Sequence, residues 1–280
     1  MNHLKNGTIA IGAPGSEARR AAEIEDAAKE QKKCAMKPFF TFYGGKWRAV
    51  PHYPSPSKET IIEPFAGSAG YAVRHYTHKV ILVEKDPIIA GLWQYLIKSK
   101  KSDILALPLI ELDQSVDDLQ ICQEAKHLIG FWINKGTAYP RKTPGARMRA
   151  GAHVTSHWGE AIRNRIANQV GLISHWTIIN GDYTQAPDLG ATWFIDAPYI
   201  NAGWHYRQSS KNIDYASLGD WCKSRKGQVM VCENDGADWL PFRFFMSAKS
   251  MDGIKGKGKS QEALWQNTWV GHRSNVTIEP

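Results

Sequence analysis

The sequence predicts an α/β fold built on a mostly parallel β-sheet. From residue 60 onward, short apolar runs alternate with amphipathic segments, and the first two runs are joined by a helical segment. Two strands joined by a helix form a βαβ unit, which requires the strands to be parallel. With 280 residues and a hydrophobic share of 42%, the chain fits one large α/β domain with a smaller insert.

The first βαβ unit begins with "TIIEPFAG" (60–67), which predicts a strand that enters a glycine-containing turn. "SAGYAVRHYTH" (68–78) predicts a helix, and "KVILVEKDP" (79–87) predicts a second buried strand that ends in acids. "PIIAGLWQYLIKS" (87–99) then predicts an amphipathic helix.

Strand patterns return after residue 175. They are "WTIIN" (176–180), "ATWFID" (191–196), "GQVMVCE" (227–233), "RFFMSAK" (243–249) and "LWQNTWV" (264–270). We expect the last two to form a terminal antiparallel hairpin around the Lys/Gly-rich loop "MDGIKGKGKSQEA" (251–263).

Residues 100–175 interrupt this alternation. The segment 111–132 predicts a helix, and a stretch rich in Gly, Pro and Arg follows it. Between residues 126 and 165, eight Lys or Arg accompany a single acid, Glu160. The net charge of +8 favours an anionic partner such as nucleic acid, although Arg-rich loops are often simply solvated.

Two further features limit the class of protein. Residues 1–36 form an N-terminal extension, in which Ser16 is a candidate cap for a helix over 17–33. The four cysteines and the scattered histidines lack the spacing of a zinc site, and no run of 18 apolar residues occurs. We therefore expect a cytoplasmic protein with no metal and no membrane partner.

The stretch "WFIDAPYI" (193–200) ends an apparently buried strand with a carboxylate, which is costly to bury without a partner. The turn "EPFAGSAG" (63–70) lets the backbone approach a ligand closely, although an ordinary tight turn has the same composition. Glu84, in "VEKDP" (83–87), is either a ribose-binding acid or a solvated loop residue.

Together with "FYGGK" (42–46) and "NGDY" (180–183), these motifs form an ordered set over roughly residues 37–270. The set resembles the Dam-like, D12-class (alpha-group) DNA adenine-N6 methyltransferases, closest to the phage or prophage type. The resemblance implies a class I S-adenosylmethionine-dependent methyltransferase fold, a Rossmann-like sheet with a terminal antiparallel hairpin. It divides the chain into a catalytic domain (37–99 and 176–280) and an inserted target-recognition domain (100–175).

The resemblance also implies the roles of individual residues. The catalytic motif is Asp196, Ala197, Pro198 and Tyr199. Asp196 and the carbonyl of residue 197 would accept hydrogen bonds from the amine of a flipped adenine, on which Tyr199 would stack. The residues expected to bind S-adenosylmethionine are Tyr43, Gly44, Lys46, Glu63, Phe65, Gly67, Glu84, Asp182 and Tyr183.

Within that set, Phe65 and Gly67 would face the methionine portion, Glu84 the ribose, and Asp182 with Tyr183 the adenine. The residues expected to contact double-stranded DNA are Arg141, Lys142, Arg147, Arg149, Tyr206, Arg207 and Lys211. The protein would act as a monomer or weak dimer in a bacterial or phage-infected cytoplasm.

Two residues depart from the family's pattern. Ala197 replaces the first proline of the catalytic motif, and Ala69 stands where a second glycine is common. These departures keep one alternative open, a catalytically impaired protein that binds S-adenosylmethionine and DNA. Separately, the acceptor could be RNA adenine or the N4 amine of cytosine.

Overall fold

A seven-stranded, mostly parallel sheet organises the chain. The computed structural model describes residues 36–151, 156–201, 203, 206–249 and 259–267. The strands are β1 (Thr60–Glu63), β2 (Lys79–Glu84), β3 (Thr177–Asn180), β4 (Ala191–Ile195), β5 (Gly227–Asn234), β6 (Arg243–Lys249) and β7 (Lys259–Gln266). Their order in the sheet is β3-β2-β1-β4-β5-β7-β6.

Strands β1 to β5 pair in parallel, and β7 pairs antiparallel with both β5 and β6. The predicted α/β class, parallel sheet and terminal hairpin are thus confirmed. Every residue of β4 is buried, as expected of a parallel strand covered on both faces.

Helices connect and cover the strands. They are α1 (Gly70–Arg74), α2 (Pro87–Lys98), α3 (Lys101–Leu105), α4 (Gln123–Ile133), α5 (Ala146–Arg149), α6 (Glu160–Gln169) and α7 (Tyr215–Ser224). Asp86 caps α2 by accepting from the Ile88 N–H, and Pro87 occupies the first turn, where its missing N–H costs nothing. Asp214 caps α7 in the same way.

The prediction of helix over 111–132 was correct for its second part and wrong for its first, because α4 begins only at Gln123. The polar residues before it form local hydrogen bonds instead. Ser115 and Asp118 make a reciprocal capping box around a short 3-10 turn, and Lys142 binds Asp117. Such side chains compete with helical backbone bonds, which explains the late start of the helix.

Aromatic side chains pack in two parts of the core. In one part, Trp193 of β4 packs in a cluster with Leu218 and Cys222 of α7. Elsewhere in the core, Trp93 of α2 lies 5.8 Å from Phe39, measured between ring centroids.

The segment predicted as an insert is tied to the motif region that precedes β1. Trp132 in α4 donates its indole N–H to the Phe39 carbonyl at 2.8 Å. Helices α3 to α6 belong to the same compact unit, residues 37–280, as the sheet. The helix predicted over 17–33 lies outside the described residues.

Candidate active site

The candidate site lies at the carboxyl ends of the parallel strands. Glu63 and Glu84 are the last residues of β1 and β2, Asp196 follows β4, and Asp182 lies two residues beyond β3. The strand order reverses between β1 and β4, where the chain has crossed from one half of the sheet to the other. Open α/β sheets bind ligands at such a switch point.

The turn after β1 has a backbone shaped for close approach. Gly67 has φ +45°, and a side chain there would press on the Phe42 ring. A Cβ at Gly70 would lie 2.6 Å from the Trp47 backbone nitrogen, so the turn packs directly on the 3-10 turn Lys46–Arg48. Trp93 donates to the Gly67 carbonyl at 2.8 Å, which holds the turn from behind.

Ala69 is the residue of this turn that departs from the glycine pattern. Its backbone is left-handed, with φ 47° and ψ 49°, and it is the only non-glycine residue with positive φ among those the structure describes. An L-residue is strained in this region, which gives a physical reason for glycine at this point of the motif.

Two acidic side chains accept hydrogen bonds from backbone N–H groups in and around the turn. Glu63 accepts from the Ala72 N–H at 2.5 Å, and Glu84 accepts from the N–H groups of Gly67 and Asp86, each at 2.9 Å. Burial raises the pKa of Glu63 to about 8 and that of Glu84 to about 7, although these N–H donors act in the opposite direction. Both carboxyl groups therefore titrate near neutral pH.

Asp196 takes part in a charged cluster formed with Lys46, Tyr199 and Glu262. The Lys46 ammonium lies 3.2 Å from Asp196 Oδ1 and 3.5 Å from Glu262 Oε2, and it sits 4.5 Å from the centre of the Tyr199 ring. Tyr199 donates its hydroxyl to Glu262 at 2.5 Å.

The pKa shifts of this cluster follow from burial and charge. Burial lowers the pKa of Lys46, but the charges of Asp196 and Glu262 outweigh it and raise that pKa well above its ordinary value. Burial raises the pKa of Asp196, and the Lys46 ammonium opposes that shift. Lys46 is therefore a permanent cation beside a carboxylate whose charge depends on it.

Glu262 is the member of this cluster that the sequence did not reveal. The predicted hairpin loop over 251–263 included it, whereas β7 begins at Lys259 and pairs Glu262 with Asn234 of β5. Because of this register, the Glu262 carboxylate lies next to the Tyr199 hydroxyl. No local pattern in the sequence predicts this contact.

Aromatic and acidic side chains line the other end of the site. The rings of Phe65 and Tyr183 stack, with centroids 5.4 Å apart and planes 26° apart. Asp182 caps the turn that contains Tyr183 by accepting from the Thr184 N–H, and it pairs with Lys85 at 3.0 Å.

The segment after the catalytic motif covers the "FYGGK" loop. Tyr206 stacks on Phe42 and donates its hydroxyl to the Tyr43 carbonyl at 3.3 Å. Gly44, with φ +72°, accommodates that hydroxyl, because a Cβ there would collide with it. Arg207 reaches back to Asp86, with Nε 3.7 Å from Oδ2.

These residues enclose a cavity of about 310 Å³. Its wall contains all nine residues predicted to bind the cofactor: Tyr43, Gly44, Lys46, Glu63, Phe65, Gly67, Glu84, Asp182 and Tyr183. Of the predicted catalytic motif, Asp196 and Pro198 line the cavity, whereas Ala197 and Tyr199 are not part of its wall. Tyr199 instead has one face of its ring toward the Lys46 ammonium.

The residues predicted to contact DNA lie in different places. Tyr206 and Arg207 line the cavity, and the other five lie outside it. Lys142 pairs with Asp117 at 2.6 Å, Arg149 donates to the Pro144 carbonyl at 2.7 Å, and Arg141 lies 4.3 Å from the Tyr139 ring centre. Arg147 and Lys211 are in neither an ion pair nor a ring contact within the described part of the chain.

The described residues show neither a metal-binding group nor a membrane-spanning helix. They hold no group of three or more His, Cys, Asp or Glu side chains arranged to bind a metal ion. None of their helices has the length and apolar character needed to cross a membrane.

No protein-family model matches the chain, and no curated protein matches it.

Proposed function

We propose that the protein transfers a methyl group from S-adenosylmethionine to the N6 amine of adenine in double-stranded DNA. One observation carries the proposal. Acids at or just beyond the ends of four parallel strands, Glu63, Glu84, Asp182 and Asp196, line one cavity together with a glycine turn. The seven-stranded sheet with its terminal hairpin supports the class I methyltransferase fold that the motif resemblance implies.

The residues present fit S-adenosylmethionine. The cofactor carries an ammonium, ribose hydroxyls and an adenine ring, and the cavity offers carboxylates, a backbone cradle at Gly67 and the rings of Phe65 and Tyr183. We assign Glu63 and the turn to the methionine end, Glu84 to the ribose, and Asp182 with Tyr183 to the adenine. When bound, this cofactor supplies an electrophilic methyl group on sulfur.

The chain's own residues prepare the acceptor amine. An adenine N6 lone pair is delocalised into the ring, so the amine must be held and its N–H groups polarised. We assign one N–H to the Asp196 carboxylate, which lines the cavity; the motif resemblance assigns the other to the Ala197 carbonyl, although Ala197 is not part of the cavity wall. When N6 accepts the methyl group, positive charge would develop on N6; the Asp196 carboxylate would stabilise that charge through its hydrogen bond, and the N6 proton would then pass to solvent.

The position of Lys46 gives Asp196 a defined geometry for this role. With Oδ1 held by the ammonium, the carboxylate has a fixed orientation at the cavity wall. A preorganised acceptor of this kind aligns the amine without reorganisation during the reaction. Because the target amine lies inside duplex DNA, the base must be flipped out to reach Asp196. The acceptor is DNA, so we also infer a cytoplasmic location.

The decisive experiment follows labelled methyl transfer from S-adenosylmethionine to unmethylated duplex DNA, with nucleoside analysis of the product. We expect N6-methyladenine from the wild type and none from Asp196→Ala. Asp220→Ala is the matched control, because Asp220 is an exposed aspartate paired to Lys223 on the surface. It should retain wild-type activity.

Other products would revise the proposal in specific ways. N4-methylcytosine, or label found only on RNA, would overturn the adenine-DNA acceptor. Cofactor and DNA binding without any product would mean that the protein binds both ligands but does not transfer the methyl group. Ala69→Gly and Ala197→Pro would then be the first substitutions to test for restored activity.

A further inference from the structure

Four cations from separate elements form a group beside the candidate active site, which we call the cationic cluster. They are Arg48 at the end of a 3-10 turn, Lys135 after α4, Arg147 in α5 and Arg165 in α6. Partial burial lowers the pKa of Lys135, and the charges of Arg48, Arg147 and Arg165 lower it further. Lys135 therefore lies near each of the other three. Contacts place the same elements together, because the Gly145 N–H before α5 donates to the Ile133 carbonyl of α4 at 3.1 Å and Arg165 packs over the Trp132 ring of α4.

No acid neutralises this group within the described part of the chain. None of the four cations belongs to an ion pair there, in contrast to Lys142 and Arg207, which bind Asp117 and Asp86. Like charges gathered without a counter-ion destabilise the fold, so the arrangement suits an anion supplied from outside.

Arg165 has the strongest need for an acceptor. Its guanidinium packs over the Trp132 ring at 5.0 Å, and two of its nitrogens, Nε and Nη2, are shielded from solvent with no hydrogen-bond partner in the described structure. Burial lowers the pKa of Arg165 to about 10. Buried donors without acceptors are costly, and a planar guanidinium is well suited to bind the oxygens of a phosphate in a bidentate manner.

The cationic cluster borders the proposed active site. Arg48 lies two residues after Lys46, which contacts Asp196. The chain that follows Lys135 also reaches the cavity, since Thr137 accepts a hydrogen bond from the Tyr43 N–H at 3.2 Å and Ala138 lines the wall. An anion bound by the cluster would therefore lie near the rim of the cavity.

We propose that Arg48, Lys135, Arg147 and Arg165 bind a backbone phosphate of DNA next to the nucleotide that enters the cavity. This inference rests on the proposed function for the identity of its ligand. Three of the four residues were not among those predicted from the sequence. Of the predicted ones, Lys142 and Arg149 have polar partners within the chain, whereas Arg141 packs on the Tyr139 ring and its Nε has no partner in the described structure. Phosphate contacts position the duplex and carry no sequence information of their own.

The test measures binding of a short fluorescent duplex as a function of salt concentration. Lys135→Gln/Arg147→Gln removes two exposed cations of the cluster. Its matched control is Lys58→Gln/Lys79→Gln, which removes two exposed lysines at the amino ends of β1 and β2. Because the cluster binds a single phosphate, we expect the slope of log K against log salt to become less steep by about 1 in the cluster variant only.

Arg165 is tested separately, because its substitution affects a half-buried residue. Arg165→Lys keeps the charge but loses the guanidinium fork, so we expect weaker duplex binding with a nearly unchanged salt slope. Melting temperatures and S-adenosylmethionine binding, measured on each variant, report whether the fold and the cavity are intact.

The outcomes separate this inference from the proposed function. Equal salt slopes for the wild type and Lys135→Gln/Arg147→Gln, with methyl transfer intact, would overturn the phosphate site alone. A cluster-dependent slope without any methyl transfer would support the site and overturn the proposed reaction. If inorganic phosphate alone saturates the cluster and duplex DNA does not compete with it, the ligand is a free phosphate and our assignment is wrong.

Discussion

Lys46 Nζ lies 3.2 Å from Asp196 Oδ1, which joins the loop before β1 to the residue after β4. Both side chains are largely buried, with 10% and 22% of their surface exposed, and Glu262 provides a second carboxylate at 3.5 Å. The ammonium therefore lies between two acidic side chains in the interior of the site.

Lys46→Met should destabilise the protein by about 3 kcal/mol or more, because it leaves buried carboxylates without a counter-charge. Protonation of Asp196 would relieve this repulsion, since the loss of Lys46 removes the group that opposes its raised pKa. The cost should therefore be larger at pH 8 than at pH 5. Urea denaturation at both values measures it.

The control for this prediction is Lys223→Met. Lys223 lies 3.2 Å from Asp220, the same distance as between Lys46 and Asp196, but both side chains of this pair are exposed. Its loss should cost about 0–1 kcal/mol at either pH. Equal costs for the two variants would contradict a structural role for the buried pair.

Tyr199 and Glu262 should be energetically coupled. Their hydrogen bond joins the catalytic motif to β7, and bonds to charged groups contribute about 1.5–3 kcal/mol. A double-mutant cycle of Tyr199→Phe and Glu262→Gln should give a coupling energy of at least about 1 kcal/mol. Additive effects on unfolding would show that the two side chains act independently.

Ala69→Gly should stabilise the protein by about 0.5–1 kcal/mol. The substitution relieves left-handed strain of about 1–2 kcal/mol, and the added flexibility of glycine in the unfolded chain offsets part of that gain. Ala66→Gly, in the same turn but not among the residues with positive φ, should instead destabilise by about 0.5–1 kcal/mol. Thermal unfolding of the two variants should shift in opposite directions.

Glu63 should make the protein less stable as the pH rises. Its pKa is about 8 in the folded protein and 4.5 as an unperturbed group, so between these values the folded state holds a proton that the unfolded state has lost. Stability from this group is present below pH 4.5 and is lost as the pH rises toward 8, by at most ~1.4 kcal/mol per pH unit.

Glu63→Gln should therefore flatten the decline of melting temperature between pH 5 and pH 8, as measured by calorimetry. Glu59→Gln, one residue before β1 and exposed, should keep the wild-type slope. An unchanged slope in Glu63→Gln would mean that this carboxyl group titrates normally in the folded protein.

Much of the sheet was predictable from the sequence. Strands such as β2 and β4 are buried apolar runs, and this pattern is local, because a strand covered on both faces needs apolar residues at nearly every position. The acids at the strand ends were predictable for the same reason, since they interrupt those runs. The motif order then indicated that Glu63, Glu84, Asp182 and Asp196 would share one site.

The sequence by itself thus determined the α/β class, the parallel strands and the acids placed at their ends. Tertiary structure alone decided which side chains meet across long separations. Glu262 reaches Tyr199 only through the β5–β7 register, and Lys46 reaches Asp196 only because the loop before β1 packs on the glycine turn. Which arginines keep unsatisfied donors also depended on packing, because that outcome is set by neighbours distant in the chain rather than by any local pattern.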